Sequence, residues 1–253
     1  MADLPDIART EIAIVELTNA FRRSQRLSDV RPNTELTQAA KLYAAYLAKS
    51  GRFAHEADGR QPADRVKASG YKFCIVSENL ASNLDSRGFT SRALAEQAVE
   101  GWKNSPGHRK NMVEPDVTEI GTGVAQAPTA DPKFISVQLF GRPESLKYQF
   151  RVENRAGASV TYSALGAAHT IEPKVIATHT ACKPGEVVFE RAGNFLTGTK
   201  LSSRFAARDG VTFSIITGDD GRVRIEAAQP PAQPGPSSVK APVQAGPPAP
   251  PKR

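Results

Sequence analysis

The segment WKNSPGHRKNM, residues 102–112, lies where a helical pattern ends and a histidine follows. Upstream of it, apolar residues recur at helical spacing as far as Trp102 and predict a helix from Ser91 to Asn104. The Pro106-Gly107 pair predicts the end of that helix. His108 comes directly after the pair, so the segment predicts an imidazole held just beyond a helix end.

Three further helices are predicted before this segment, and two strands after it. Helical spacing and boundary residues place the helices at about Ile7–Arg26, Thr34–Ser50 and Pro62–Ala68. Downstream the apolar period changes to two, in Ile120–Val124 and in Phe134–Phe140. Helices followed by an antiparallel hairpin predict an α+β domain over residues 5–143.

The second half of the chain predicts strands and then a tail. Short strands separated by glycine-containing turns predict a small β-sandwich or barrel over residues 147–227; they fall at Gln149–Glu153, Ser159–Leu165, Glu186–Glu190, Val211–Thr217 and Arg222–Ala227. Residues 228–253 hold nine of the 19 prolines and no aromatic side chain. Such a composition cannot bury enough apolar surface to offset its ordering entropy, so this tail is predicted to be disordered.

Charge excludes some classes of function. The net charge of +7 divides into +2 for residues 1–143, +2 for residues 144–227 and +3 for the tail. Nucleic-acid binding needs clustered Lys and Arg, which these nearly neutral modules lack, so no nucleic-acid partner is expected.

No stretch approaches the roughly 18 apolar residues of a membrane-spanning helix. The first residues, MADLPDIARTE, carry no signal-peptide pattern.

The two cysteines leave the redox state open. Cys74 and Cys182 lie far apart in the sequence and fit either one disulfide or two buried thiols. We expect reduced thiols. A Cys74–Cys182 bridge that joins the two modules is the alternative.

Two histidines and one carboxylate of the first module form a candidate site. His55 and His108 each follow a predicted helix, and Glu78 lies within a mostly apolar run. A carboxylate there is costly to bury without a partner. Two imidazoles and a carboxylate also form a zinc-type ligand set, although no local spacing such as HExxH joins them. Spacing alone therefore favours capping or hydrogen-bonding histidines over a metal site.

The β-strand module carries a second histidine pair. His169 and His179, with Cys182, superficially resemble a copper or zinc site, in the segment His179-Thr180-Ala181-Cys182. A blue-copper site would also need a further histidine and usually a methionine. The only methionines are Met1 and Met112, so no metal is expected there.

The first module resembles the CAP superfamily, which comprises the cysteine-rich secretory, antigen 5 and pathogenesis-related-1 proteins, and in particular its bacterial secreted branch. The matching fragments occur in order over about residues 7–141. They are Leu17–Arg22, Leu36 with Ala40, His55 with Asp58-Gly59-Arg60, Ala63-Asp64-Arg65, Ala68-Ser69-Gly70-Tyr71, Glu78-Asn79-Leu80-Ala81, Trp102 with Ser105-Pro106-Gly107-His108-Arg109, and Ile120-Gly121-Thr122-Gly123-Val124.

The resemblance implies an α-β-α sandwich with a cleft of two histidines and two acidic residues, which in several members holds a divalent ion such as Zn²⁺. Carried over by motif, the histidines are His55 and His108 and one acid is Glu78, with Asn79 beside it. Ser105 takes the place of the second acid among the predicted cleft residues, because Glu100, Glu114 and Glu119 do not stand at the matching position.

The favoured function is an extracellular binding module whose cleft takes a small molecule, a lipid or a cell-surface component, and we expect a monomer. The alternative is a zinc-assisted hydrolase, in which Zn²⁺ on His55 and His108 activates water and Glu78 serves as ligand or general base. A third possibility is that the β-strand module carries the biological role. The resemblance implies a secreted or periplasmic location, with the proline-rich tail as a surface tether.

Overall fold

The computed structural model describes residues 4–191 and 201–229, and its first part is built from five helices and four strands. In chain order the elements are α1 Ile7–Ser24, β1 Arg31–Pro32, α2 Thr34–Ser50, α3 Pro62–Ala68, β2 Phe73–Leu84, α4 Ser91–Lys103, α5 Pro106–Met112, β3 Glu119–Gln126 and β4 Lys133–Pro143. The sheet order is β1-β3-β4-β2. The predicted helices and the β3–β4 hairpin are confirmed.

Helices cover both faces of this sheet, because its strands alternate between two apolar clusters. On β4, Phe134 and Phe140 pack with α1 and α4 around Trp102. The intervening Val137 and Leu139 pack with α2 on the opposite face. A period of two places alternate residues on opposite faces of a strand. The first part of the chain is therefore an α-β-α sandwich.

Two glycines set how closely α2 approaches the sheet. A Cβ at Gly121 would lie 2.2 Å from the carbonyl carbon of Leu36, and one at Gly123 would lie 2.3 Å from the amide nitrogen of Lys41. Carbon atoms in contact are about 3.5–4.0 Å apart, so no side chain fits at either position. The glycines thereby bring the α2 backbone directly onto β3.

Two elements around the site differ from expectation. Helix α4 ends before the Pro106-Gly107 pair, as predicted, but a new helix, α5, was not predicted, and Pro106 occupies its first turn. Proline suits that position, where its missing N–H has no intrahelical partner. Strand β2 was not predicted, because its polar residues break the apolar alternation on which strand prediction depends.

The second part contains eight described strands in two four-stranded sheets. They are β5 Tyr148–Asn154, β6 Val160–Ala164, β7 Ala167–Ile171, β8 Ile176–Ala181, β9 Gly185–Arg191, β10 Leu201–Ala207, β11 Thr212–Thr217 and β12 Val223–Ala228. The sheet orders are β10-β9-β6-β7 and β12-β11-β5-β8. Tyr162 and Phe189 of one sheet share a core with Phe150 and Phe213 of the other. The all-β prediction is confirmed, with β7, β8 and β10 added to the five predicted strands.

A disulfide joins the two parts. Cys74 on β2 is bonded to Cys182, which follows β8, across 108 positions of sequence. The expectation of reduced thiols is therefore wrong: sequence separation carries no information about which elements the fold brings together. Beside the bridge, Lys183 Nζ lies 2.9 Å from a carboxylate oxygen of Glu114.

Two further predictions concern membrane-spanning helices and the proline-rich tail. Among the described residues, no helix is long and apolar enough to cross a membrane. The predicted disorder of the proline-rich tail falls almost entirely on residues 230–253, which lie outside the described residues.

Candidate functional site

His55 lies in a loop that two tyrosines of α2 hold against the helix. The Tyr46 hydroxyl donates to the carbonyl oxygen of Ala57 at 2.8 Å, and the Ala57 N–H donates to the Tyr43 hydroxyl at 3.1 Å. The Tyr43 hydroxyl in turn donates to the carbonyl oxygen of Ala54. These bonds bracket His55 on both sides, so the position of its backbone is set by α2.

Glu78 is the buried centre of the site. Its side chain is 1% exposed and projects from β2. One carboxylate oxygen lies 2.8 Å from Nδ1 of His55. The Arg65 Nη2 group donates to both oxygens, at 3.1 and 2.9 Å. A buried carboxylate needs a paired charge, and Arg65 supplies it.

Arg65 is itself held by four further groups. Nη1 donates to Asp58 and to the carbonyl oxygen of Arg60, each at 2.8 Å, and Nη2 donates to the carbonyl oxygen of His55. The guanidinium carbon lies 3.4 Å from the centre of the Tyr43 ring. Burial raises the pKa of Asp58, but the Arg60 N–H and the charge of Arg65 outweigh that effect and lower it overall.

His108 lies on α5 and is tied to β2 through its backbone. Asn79 Nδ2 donates to the carbonyl oxygen of His108 at 3.2 Å, and Asn111 Nδ2 donates to Asn79 Oδ1 at 2.9 Å. Burial, and then the charge of His55, lower the pKa of His108. The two imidazoles are therefore close enough to interact, and His108 is biased toward its neutral form.

A chain of buried amides continues from Asn79 across the sheet. Asn79 Nδ2 also donates to Gln138 Oε1 at 2.9 Å, and Gln138 Nε2 donates to the Thr18 hydroxyl at 2.8 Å. All three side chains belong to residues that are fully buried. The chain connects α5, the sheet and α1, so it fixes the helix that carries His108.

The predicted second acid has no replacement among the nearby glutamates. Glu100 pairs with Lys103, Glu114 pairs with Lys183, and Glu119 accepts a hydrogen bond from Tyr71. Ser105, which stands at the matching position, is the N-cap residue of α5, and its side chain makes no capping hydrogen bond.

The structure thus brings together His55, Glu78, Asn79 and His108 of the predicted cleft residues. Among the residues that the structure describes, no group of three or more His, Cys, Asp and Glu side chains is arranged to hold a metal ion. Both Glu78 oxygens are already engaged by Arg65. The donor set therefore does not fit a zinc centre in this arrangement, and zinc binding stays a prediction.

Arg65 and Asp58 are the site residues that the sequence did not single out. The ion pair between Arg65 and Glu78 was not predicted. Arg65 and Asp58 both belong to the fragments that resemble the family and that follow His55 in the sequence. Their place in those fragments was the sequence feature that could have assigned them to the site. Arg65 also borders a cavity of about 140 Å³ lined by Leu42, Tyr46 and Arg60 among others.

The second histidine pair forms a cluster without the cysteine. The rings of His169 and His179 are 4.8 Å apart, and Nε2 of His179 lies 2.7 Å from the hydroxyl of Tyr162. Cys182 is bonded to Cys74 instead. Burial, and then the charge of His169, lower the pKa of His179.

The first part of the chain is an α-β-α sandwich in which two histidines lie beside a buried glutamate, and this combination indicates its class. The model of the cysteine-rich secretory protein family, CAP, matches residues 15–140. These residues form a CAP domain, and the chain belongs to that family through them.

Relatives in the comparisons cover about half of this chain. YkwD of Bacillus subtilis (strain 168) is 30% identical over 122 residues, which are 48% of this chain and 44% of YkwD. A protein of Borreliella burgdorferi is 27% identical over 122 residues and 72% of its length. An outer surface protein from Borrelia burgdorferi has a solved structure that is 23% identical, with a TM-score of 0.46, over 54% of this chain and 94% of that one. This chain spans less than half the length of YkwD.

Proposed function

We propose that the CAP domain is an extracellular binding module whose cleft presents the imidazoles of His55 and His108 to a small ligand or a cell-surface component. The observation that carries this proposal is the environment of Glu78, whose two oxygens contact Arg65 and His55. A carboxylate engaged in this way orients a histidine. The His55 side chain is 48% exposed, so its outer edge is available for contact with a ligand.

Two features support an extracellular location. The matching family is described as one of secretory proteins. The disulfide between Cys74 and Cys182 belongs to the same picture, because disulfides persist in oxidising compartments and are rare in reducing ones. The family and the disulfide together support the proposed extracellular location.

The zinc-assisted hydrolase is the second candidate. It is favoured by the electrostatic interaction between His55 and His108, since a pair of imidazoles is a common part of a zinc ligand set. A catalytic zinc site ordinarily has three protein ligands and a water, so Glu78 would have to release Arg65 to become the third. The contacts of Glu78 therefore favour binding over catalysis.

The test uses the labelled full chain and intact cells of the organism from which it comes. Binding should be saturable and weakened about tenfold or more, which is 1.4 kcal/mol, by His55→Ala and by His108→Ala. Lys110→Ala is the matched control, because Lys110 is exposed on the same helix as His108 and should leave binding unchanged.

Two results would contradict the proposal. Binding that neither histidine substitution weakens would move the function to the β-strand module, a conclusion that deletion of residues 147–253 would then check. Binding that is lost after dialysis against EDTA and restored by zinc would instead support the metal-dependent alternative.

A further inference from the structure

The charge balance at Glu78 is complete without a metal ion. The Glu78 side chain is 1% exposed and that of Arg65 is 6% exposed, so the ion pair is almost fully removed from water. The guanidinium contacts both carboxylate oxygens. In such surroundings a second, divalent cation at the same carboxylate would be repelled by the positive charge of Arg65 at short range, where little water screens it.

Arg65 cannot leave this position without breaking its other contacts. Its two terminal nitrogens also donate to Asp58 and to the carbonyl oxygens of His55 and Arg60, and its guanidinium lies over the Tyr43 ring. Breaking a buried, hydrogen-bonded ion pair carries a large free-energy cost. An incoming ion would have to offset that cost before it gained Glu78 as a ligand.

We infer that Arg65 is the resident cation of this site: it occupies the position at Glu78 that a divalent metal would need, and it leaves His55 to offer Nε2 as an acceptor to ligand O–H or N–H groups. The inference deepens the proposed binding function and rests on it for the ligand. The exclusion of metal rests only on the contacts of Arg65.

The hydrogen-bonding role of His55 follows from its partner. An ionised carboxylate only accepts, so Nδ1 of His55 must donate to Glu78. A neutral imidazole carries one N–H, and Nε2 is then left with a free lone pair. Because Nδ1 contacts a buried group while the side chain is 48% exposed, the Nε2 edge is the outward one. The matching ligand class is therefore one that carries hydroxyl or amide donors.

Zinc titration by calorimetry tests the role of Arg65. We expect no stoichiometric zinc binding by the wild-type chain or by Arg65→Lys, which keeps the positive charge. Arg65→Gln removes the charge and should raise zinc affinity more than about tenfold, in a manner that a further His55→Ala abolishes. Stoichiometric zinc binding by the wild type that needs His55 and Glu78 would overturn the inference, as would a folded Arg65→Gln chain that gains no zinc affinity.

Nitrogen NMR of the wild-type chain keeps the inference testable even if Arg65→Gln does not fold. At pH 8, ¹⁵N spectra of His55 should show a protonated Nδ1 and an unprotonated Nε2. The opposite tautomer would overturn the assignment. A chain that gives the expected zinc titration and ¹⁵N spectra but does not bind cells would refute the proposed binding function and leave the role of Arg65 intact.

Discussion

Substitution of Gly121 by alanine should lower the melting temperature of the domain markedly. The new Cβ would lie 2.2 Å from the carbonyl carbon of Leu36, whereas carbon atoms in contact need about 3.5 Å, so α2 must move away by about 1.3 Å. Overpacking costs about 1–3 kcal/mol, and the clash here is with backbone, which cannot rotate away. We therefore expect the upper end of that range, about 3 kcal/mol.

The matched control is Gly101→Ala on α4. A Cβ there meets no atom within 4 Å, and alanine is favoured over glycine in a helix by about 1 kcal/mol. For a chain of this size, 1 kcal/mol shifts the melting temperature by about 2–4 °C. Gly121→Ala should therefore melt about 6–12 °C lower than wild type, and Gly101→Ala about 2–4 °C higher.

Differential scanning calorimetry gives both melting temperatures, and NMR of His55 adds a local readout. Because α2 carries the tyrosines that hold the His55 loop, Gly121→Ala should also shift the His55 resonances. A Gly121→Ala chain that melts within about 1 °C of wild type, with unchanged His55 signals, would refute the close approach of α2 to β3 and its link to the site.

Three further outcomes are expected. Glu78→Gln should lower the free energy of unfolding by about 1.5–3 kcal/mol in urea melts, because it removes one of the two carboxylates that balance the buried charge of Arg65; a loss below about 1 kcal/mol would mean that the pair is not buried. Replacing both cysteines by serine should cost about 4–5 kcal/mol, since the bridge closes a loop of roughly 100 residues, and equal melts with and without reductant would contradict the bridge. The pKa of His179 is lowered in the folded chain, so the unfolded chain takes up the proton first as the pH drops, and the free energy of unfolding should fall between pH 7 and the folded pKa. His179→Asn should make this fall smaller. An unchanged dependence of the free energy of unfolding on pH in His179→Asn would contradict the role of His179.

Much of the sandwich could be predicted because its elements obey simple periods. The helices α1, α2 and α4 each bury one apolar face, and β4 alternates between two apolar clusters. Strand β2 does not, because Ser77, Glu78 and Asn79 interrupt its apolar pattern and two of them serve the site. Helix α5 is only seven residues long and begins at Pro106, so its sequence resembles a helix end.

The members of the site could be predicted more readily than their connections. His55, Glu78, Asn79 and His108 were identified from motifs, but the pairing of Glu78 with Arg65 depends on α3 packing against β2. The same holds for the disulfide, whose cysteines are 108 positions apart. Contacts between distant segments are set by the assembled fold, and single-sequence patterns do not encode them locally.

A crystal structure of the full chain grown with zinc chloride would test most directly whether Arg65 takes the place of a metal ion. Anomalous difference maps at the zinc edge should show no peak between His55 and His108, and the Arg65 guanidinium should remain on both oxygens of Glu78. A zinc peak coordinated by the two imidazoles and Glu78, with Arg65 displaced, would contradict the metal-free binding site.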